Sequence, residues 1–146
     1  MQMKLKIDNE AMVDDFFENT RLLGIMAPLK DYSFTWHVNQ IMGFSFRINH
    51  NIEIQLRKKK RDYFFSIFEY NIPGSCMFHY VYNNKYDGEY LLPEFKHLDF
   101  LWLVKDEEMA DDELSVLQQS LKKIPGIQLV NEMTHEKIKN KQHLIF

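Results

Sequence analysis

The chain has 146 residues, 45% of them apolar and 14% aromatic, with a formal charge of −3. That length is one domain's worth, and it buries roughly two-thirds of its unfolded surface without help from a metal or a disulfide. The weak negative charge excludes a whole-domain basic field for nucleic acid. The single Cys76 excludes an internal disulfide framework and a cysteine-based zinc site.

Twelve Phe and seven Tyr favour a sheet-rich core, because aromatic rings fit the pleated surface of strands. The opening Met1-Gln-Met-Lys-Leu-Lys-Ile-Asp lacks the apolar stretch of a secretory signal. No apolar run approaches the ~20 residues of a membrane helix. These patterns predict a soluble cytoplasmic protein with no membrane partner.

Asp8 or Asn9 is placed to cap a helix running to about Ala27, with Met12, Phe16, Leu23, Met26 and Ala27 on one face. Pro28 ends it. Asp31 is read as the cap of a second helix whose stripe is Phe34, Val38, Ile41 and Met42, with Gly43 as its C-terminal stop. The period then changes to two. Phe44, Phe46 and Ile48 alternate with polar residues, Asn49-His50-Asn51 reads as a turn, and Ile52, Ile54 and Leu56 alternate again. Arg57 to Asp62 is a hairpin loop. Tyr63 to Tyr70 is a strand, apolar on both faces at Phe64 and Phe65. Pro73-Gly74 turns into a strand from Met77 to Tyr82.

Asn83-Asn84 and Asp87-Gly88 break that strand, and Leu98 to Val104 reads as a central, covered one. Asp111 or Asp112 caps a third helix that buries Leu114, Leu117, Leu121 and Ile124, with Lys122 and Lys123 at its C-terminal end, where the dipole favours cations. Pro125-Gly126 stops it. Ile127 to Val130 is a last strand, and Thr134 caps a helical turn to Ile138. An apolar tail closes the chain at Leu144-Ile145-Phe146. The reading is a single α+β domain over residues 1–146. It is an antiparallel meander of about five to six strands, with two N-terminal helices and one C-terminal helix.

Three groups of residues carry candidate chemistry. Glu94, His97 and Asp99 stand at the mouth of the central strand and offer a binding, acid/base or metal constellation. Their spacing opposes it. An odd offset of five points two strand side chains to opposite faces, so a structural role outweighs the chemical one: Glu94 bracing the turn, Asp99 pairing with Arg47 or with backbone. Arg57, Lys58, Lys59, Lys60 and Arg61 form a basic loop suited to phosphate or RNA, with Tyr63, Phe64 and Phe65 as stacking neighbours; a solvated hairpin tip and a core are the simpler reading.

The acidic run from Asp106 to Glu113 lacks the alternating oxygens of a calcium loop, and it suits a helix start better. It also offers a partner for the basic loop of another copy. His37, His50, His79, His135 and His143 have no metal spacing, and Cys76 reads as a buried, inert thiol. The glycines are isolated, so no phosphate-cradling loop exists. No catalytic residue, metal or cofactor is assigned.

Leu92-Pro93-Glu94-Phe95-Lys96-His97-Leu98-Asp99-Phe100 resembles the Ile-Pro-Glu-x-x-x-Val-Asp-Tyr motif of the bacterial IPExxxVDY family. The Leu replacements keep the apolar character, and Phe100 removes a hydroxyl. The likeness extends over nearly the whole chain, including Leu22 to Ile25 and Lys30 to Tyr32. It implies a bacterial protein of a family with no assigned activity. The expectation is a non-catalytic binding or adaptor domain that self-associates, with a protein partner. An RNA- or phosphate-binding domain using the basic loop is one alternative. A small-molecule site or enzyme around Glu94, His97 and Asp99 is the other.

Overall fold

The computed structural model describes residues 10–146. The proposed cap at Asp8 or Asn9 lies outside the described residues. Helix α1 covers residues 10–16, α2 covers Asp31–Met42 and α3 covers Asp111–Lys122. The strands are β1 (Arg21–Met26), β2 (Arg47–Lys58), β3 (Arg61–Asn71), β4 (Phe78–Asn83), β5 (Lys85–Tyr86), β6 (Glu89–Tyr90), β7 (Phe100–Lys105) and β8 (Leu129–Met133). Six of them form one antiparallel sheet in the order β2-β3-β4-β7-β1-β8, and β5 and β6 form a separate small hairpin. The protein is therefore an α+β domain, and its central strand β7 is the apolar run that the sequence places there.

Alternation along β7 divides the interior in two, as successive strand side chains point to opposite faces. Phe100, Trp102 and Val104 join Phe34 and Val38 of α2 and Leu114, Leu117 and Leu121 of α3 on one side. Leu101 and Leu103 join Phe16, Phe17, Leu91, Leu92, Ile138 and Leu144 on the other. Two helices thus cover one face of the sheet. The chain segments around α1, the β6–β7 connection and the C-terminal tail cover the other.

The first helix is shorter than the sequence predicts. It gives way at Asn19, whose φ of 56° is left-handed, and residues 21–26 become β1, a strand inside the sheet between β7 and β8. Leu22 faces one core and Leu23 and Ile25 the other, so the apolar run satisfies both faces at once. A short covered strand and a buried helix segment share this signature, and tertiary pairing decides between them.

Two further differences are local. Asn49-His50-Asn51 is not a turn: β2 runs through it, with a register irregularity between Ile48 and Glu53. Phe44 and Phe46 precede the strand, and Asn39 fixes Phe46 by accepting from its backbone N–H at 2.8 Å and donating to its carbonyl at 3.1 Å. The expected side-chain caps are also not formed. Lys30, Ala110 and Thr134 occupy the N-cap positions without side-chain cap bonds, and Asp31, Asp111 and Asp112 sit within the first turns instead, where the helix dipole still favours them. Ile41 leaves the α2 stripe and is 45% exposed.

Candidate binding site

Glu94, His97 and Asp99 lie on the connection that leads into β7, and Asn84 organises that connection. Asn84 is fully buried. Its amide nitrogen donates to the carbonyls of Phe95 and Leu98, each at 2.9 Å, and its oxygen accepts from Leu92 N–H at 2.8 Å. A three-residue helical turn, Pro93–Phe95, is held this way against the end of β4. Within it, Glu94 points to the C-terminal segment, where it accepts from the backbone N–H of Asn140 at 2.9 Å and from its side-chain amide at 3.0 Å. Partial burial pushes the Glu94 carboxyl up, but the Asn140 hydrogen bonds outweigh it and hold the group below the usual carboxylate value.

Asp99 has a different partner. Its carboxylate accepts from Ala27 N–H at 2.8 Å, just beyond the end of β1. Burial raises its pKa, against the lowering effects of that bond and of Lys85. His97 is exposed. The two carboxylates therefore brace separate segments, Glu94 the C-terminal one and Asp99 the β1–α2 link. Asp99 takes the backbone partner rather than Arg47. It does line a cleft of about 450 Å³ beside Lys30, Lys85, Phe64 and Tyr86; Glu94 and His97 do not. Phe64, read as core from the sequence, is exposed at this cleft, whereas Phe65 is buried.

The basic loop is a two-residue turn. Lys59 and Lys60 have φ of 53° and 65°, the left-handed pair of a tight hairpin. Their neighbours are engaged: Arg61 pairs with Asp87, Lys58 with Glu89 at 3.5 Å and Arg57 with Asp62 at 3.7 Å. Only Lys59 and Lys60 of the five extend without a carboxylate partner among the described residues. At the far end, Arg21 binds Asp111 at 2.6 Å and Glu132 at 2.9 Å, and the hydrogen bonds to Glu132 and Asp111 raise its pKa further. Glu107, Glu108, Asp112 and Glu113 have no ion-pair partner among the described residues.

The sequence reading passes over His79, the most unusual polar side chain in the fold. It lies on β4, facing α2 and α3, and is 1% exposed. Trp102 donates its indole N–H to His79 Nδ1 at 2.9 Å. The rings of Phe44, Phe46, Tyr70 and Trp102 stand 5.4 to 6.4 Å from the imidazole, centre to centre. Burial lowers the His79 pKa to about 4, so the ring is neutral at pH 7. Its Nε2 has no hydrogen-bond partner among the described residues. His79 also forms part of the wall of a groove of about 560 Å³ between the C-terminal end of α2 and α3. The run Phe78-His79-Tyr80-Val81-Tyr82 is the signal that would have found it: in a strand covered on both faces, one polar residue in an otherwise apolar run is conspicuous.

Cys76 is exposed rather than buried. No three His, Cys, Asp or Glu side chains converge as metal ligands among the described residues. Taken together, the junction holds the fold, and Asp99 and His79 each stand in the wall of a concave surface, the Asp99 cleft and the His79 groove. Neither a scan against protein-family models nor a search of curated proteins gives a match for this chain.

Proposed function

We propose that this protein is a non-catalytic binding domain that self-associates, with two copies antiparallel so that the hairpin tip of each meets the acidic run of the other. The observation that carries this reading is the placement of the charges that have no ion-pair partner among the described residues. Lys59 and Lys60 form the turn that leads into β3, while the acidic run follows β7 in the row of Asn71, Phe78 and Lys105 at the other end of that strand. β3 has 11 residues, which is roughly 33 Å at the ordinary strand rise. The two groups are too far apart to pair within one copy, and a two-fold arrangement matches both at once. Tyr32 and Trp36, 68% and 57% exposed, lie one turn apart on α2 and add apolar area of the kind that interfaces favour.

A binding role also agrees with the separate structural partners of Glu94 and Asp99. The same two residues are the acidic positions of the IPExxxVDY motif. We propose membership of that family, with the motif acting as a brace for the fold. None of the described helices is long and apolar enough to cross a membrane. We place the protein in the cytoplasm. The RNA-binding alternative rests on Lys59 and Lys60, the two of the five basic residues without a carboxylate partner among the described residues.

Sedimentation across protein concentration and salt tests the reading. A dimer that weakens with salt is expected. Lys59→Glu with Lys60→Glu dissociates it, and adding Asp112→Lys with Glu113→Lys to the same chain restores it. A monomer at every concentration, or a dimer indifferent to these reversals, overturns the proposal.

A further inference from the structure

We propose that the groove between α2 and α3 binds a small uncharged molecule with an apolar body and one oxygen that accepts a hydrogen bond from His79. Two independent observations converge on this. The first is the unpaired Nε2 of a side chain that is 1% exposed. Because Nδ1 accepts from Trp102, the neutral ring must carry its hydrogen on Nε2, so the unused group is a donor. A buried donor without an acceptor is costly, and native interiors seldom tolerate one. The second is the groove itself, which is within the size range of small-molecule sites. Its lining is mainly apolar: Ile41, Met42, Phe44, Met109, Val116 and Leu117.

The charges around the groove select the ligand class. Asp112 and Glu113 stand on its α3 side, and the imidazole contributes no positive charge. Within one copy, a carboxylate or phosphate would therefore meet like charge and no lining cation; in the proposed dimer the lysines of the hairpin tip are taken up by those same rim carboxylates, and the neutral imidazole still offers an anion no charge. A ketone, ester or other neutral carbonyl offers the acceptor without that penalty. Met42 and Met109 line the groove beside His79, and their unbranched thioether side chains re-pack readily around an entering ligand. Ile41 and Val116 are exposed at 45% and 66%, so the apolar lining reaches solvent.

The test uses the isotope-labelled full chain, titrated with 2-nonanone and, separately, with nonanoate. The imidazole N–H resonance of His79 and the indole N–H resonance of Trp102 are followed by NMR. The ketone is expected to shift both saturably, and nonanoate to bind about ten-fold more weakly, the equivalent of one unfavourable charge contact in a site that must also desolvate the carboxylate. Ile41→Arg and Val116→Arg alter exposed positions, so the fold persists while ketone affinity falls. No saturable shift, equal affinity for nonanoate, indifference to both arginine variants, or a high-resolution structure with an ordered water holding Nε2 in the presence of the ketone would each overturn the proposal. Because dimerisation is read by sedimentation, failure here leaves the self-association reading standing.

Discussion

Trp102 on β7 and His79 on β4 are diagonal on one face of the sheet, paired across with Val81 and Val104, and the indole N–H of Trp102 is donated to Nδ1 of His79 at 2.9 Å. The bond requires an unprotonated Nδ1. Protonation would set one N–H against another inside a ring of aromatic side chains. This makes His79 the clearest acid-sensitive point in the fold. Its folded pKa is lowered to about 4 from 6.5 by burial, so the unfolded chain binds the proton more readily. The contribution is fully present above pH 6.5 and is lost as pH falls toward 4, for a total of about 3 kcal/mol.

Denaturant titrations at several pH values check this. Carboxylates add their own acid dependence, so the informative quantity is the difference between the wild type and His79→Phe. That difference should shrink steeply between pH 6.5 and 4. A difference that stays constant across the range would mean that His79 does not carry the effect.

Asn84 is expected to be the most sensitive polar position. Its side chain closes three hydrogen bonds to backbone groups of the Leu92 to Leu98 connection, in a site without solvent. Asn84→Ala strips partners from two carbonyls and one N–H, at a cost of about 3 kcal/mol or more. Asn84→Asp keeps the shape but turns a donor into an acceptor facing two carbonyls, and it should be at least as harmful. Thermal unfolding separates these from a surface change such as Lys96→Ala, which should leave the transition near the wild-type value.

Asp99 allows a sharper comparison. If its role is to accept the Ala27 N–H, an amide serves as well as a carboxylate. Asp99→Asn should then match the wild type within about 0.5 kcal/mol, whereas Asp99→Ala should cost about 1–3 kcal/mol for the orphaned N–H. The raised pKa has a definite sign: the folded state holds the proton longer than the unfolded one, so this group opposes acid unfolding and its ionisation weakens the fold as pH rises. Equal loss in both variants would point to a need for charge.

Much of the architecture is legible in the sequence because local pattern and tertiary role agree. The Leu114, Leu117, Leu121 stripe is a helix face in both readings, and the Phe100 to Val104 run is the covered central strand. Legibility fails where one local pattern fits two structures. Leu22 to Met26 satisfies a helix stripe and a strand buried on both sides, and only its pairing with β7 and β8 resolves it. The candidate site follows the same rule. Glu94 and Asp99 do diverge, but not by strand alternation: Glu94 lies in a short helical turn and Asp99 just before β7, and their partners at Asn140 and Ala27 set their directions. His79 could not be singled out by spacing, because its meaning comes from Trp102, distant in sequence, and from helices packed over its strand.

Gly24 puts that resolution to the test. It lies in the middle of β1, and a Cβ built on it would fall 2.6 Å from Leu98 Cδ1 and 2.6 Å from Met133 Sδ. The backbone needs no left-handed angle here, so the constraint is space alone. In a helix, Gly24→Ala would stabilise by about 1 kcal/mol, since alanine is the better helix former. In this strand the added methyl must displace Leu98, a buried side chain at the head of the Asn84-braced connection. Overpacking of this kind costs about 1–3 kcal/mol. A lower melting temperature for Gly24→Ala, partly restored by Leu98→Val, is the expected result. A raised melting temperature would contradict the strand assignment of residues 21–26.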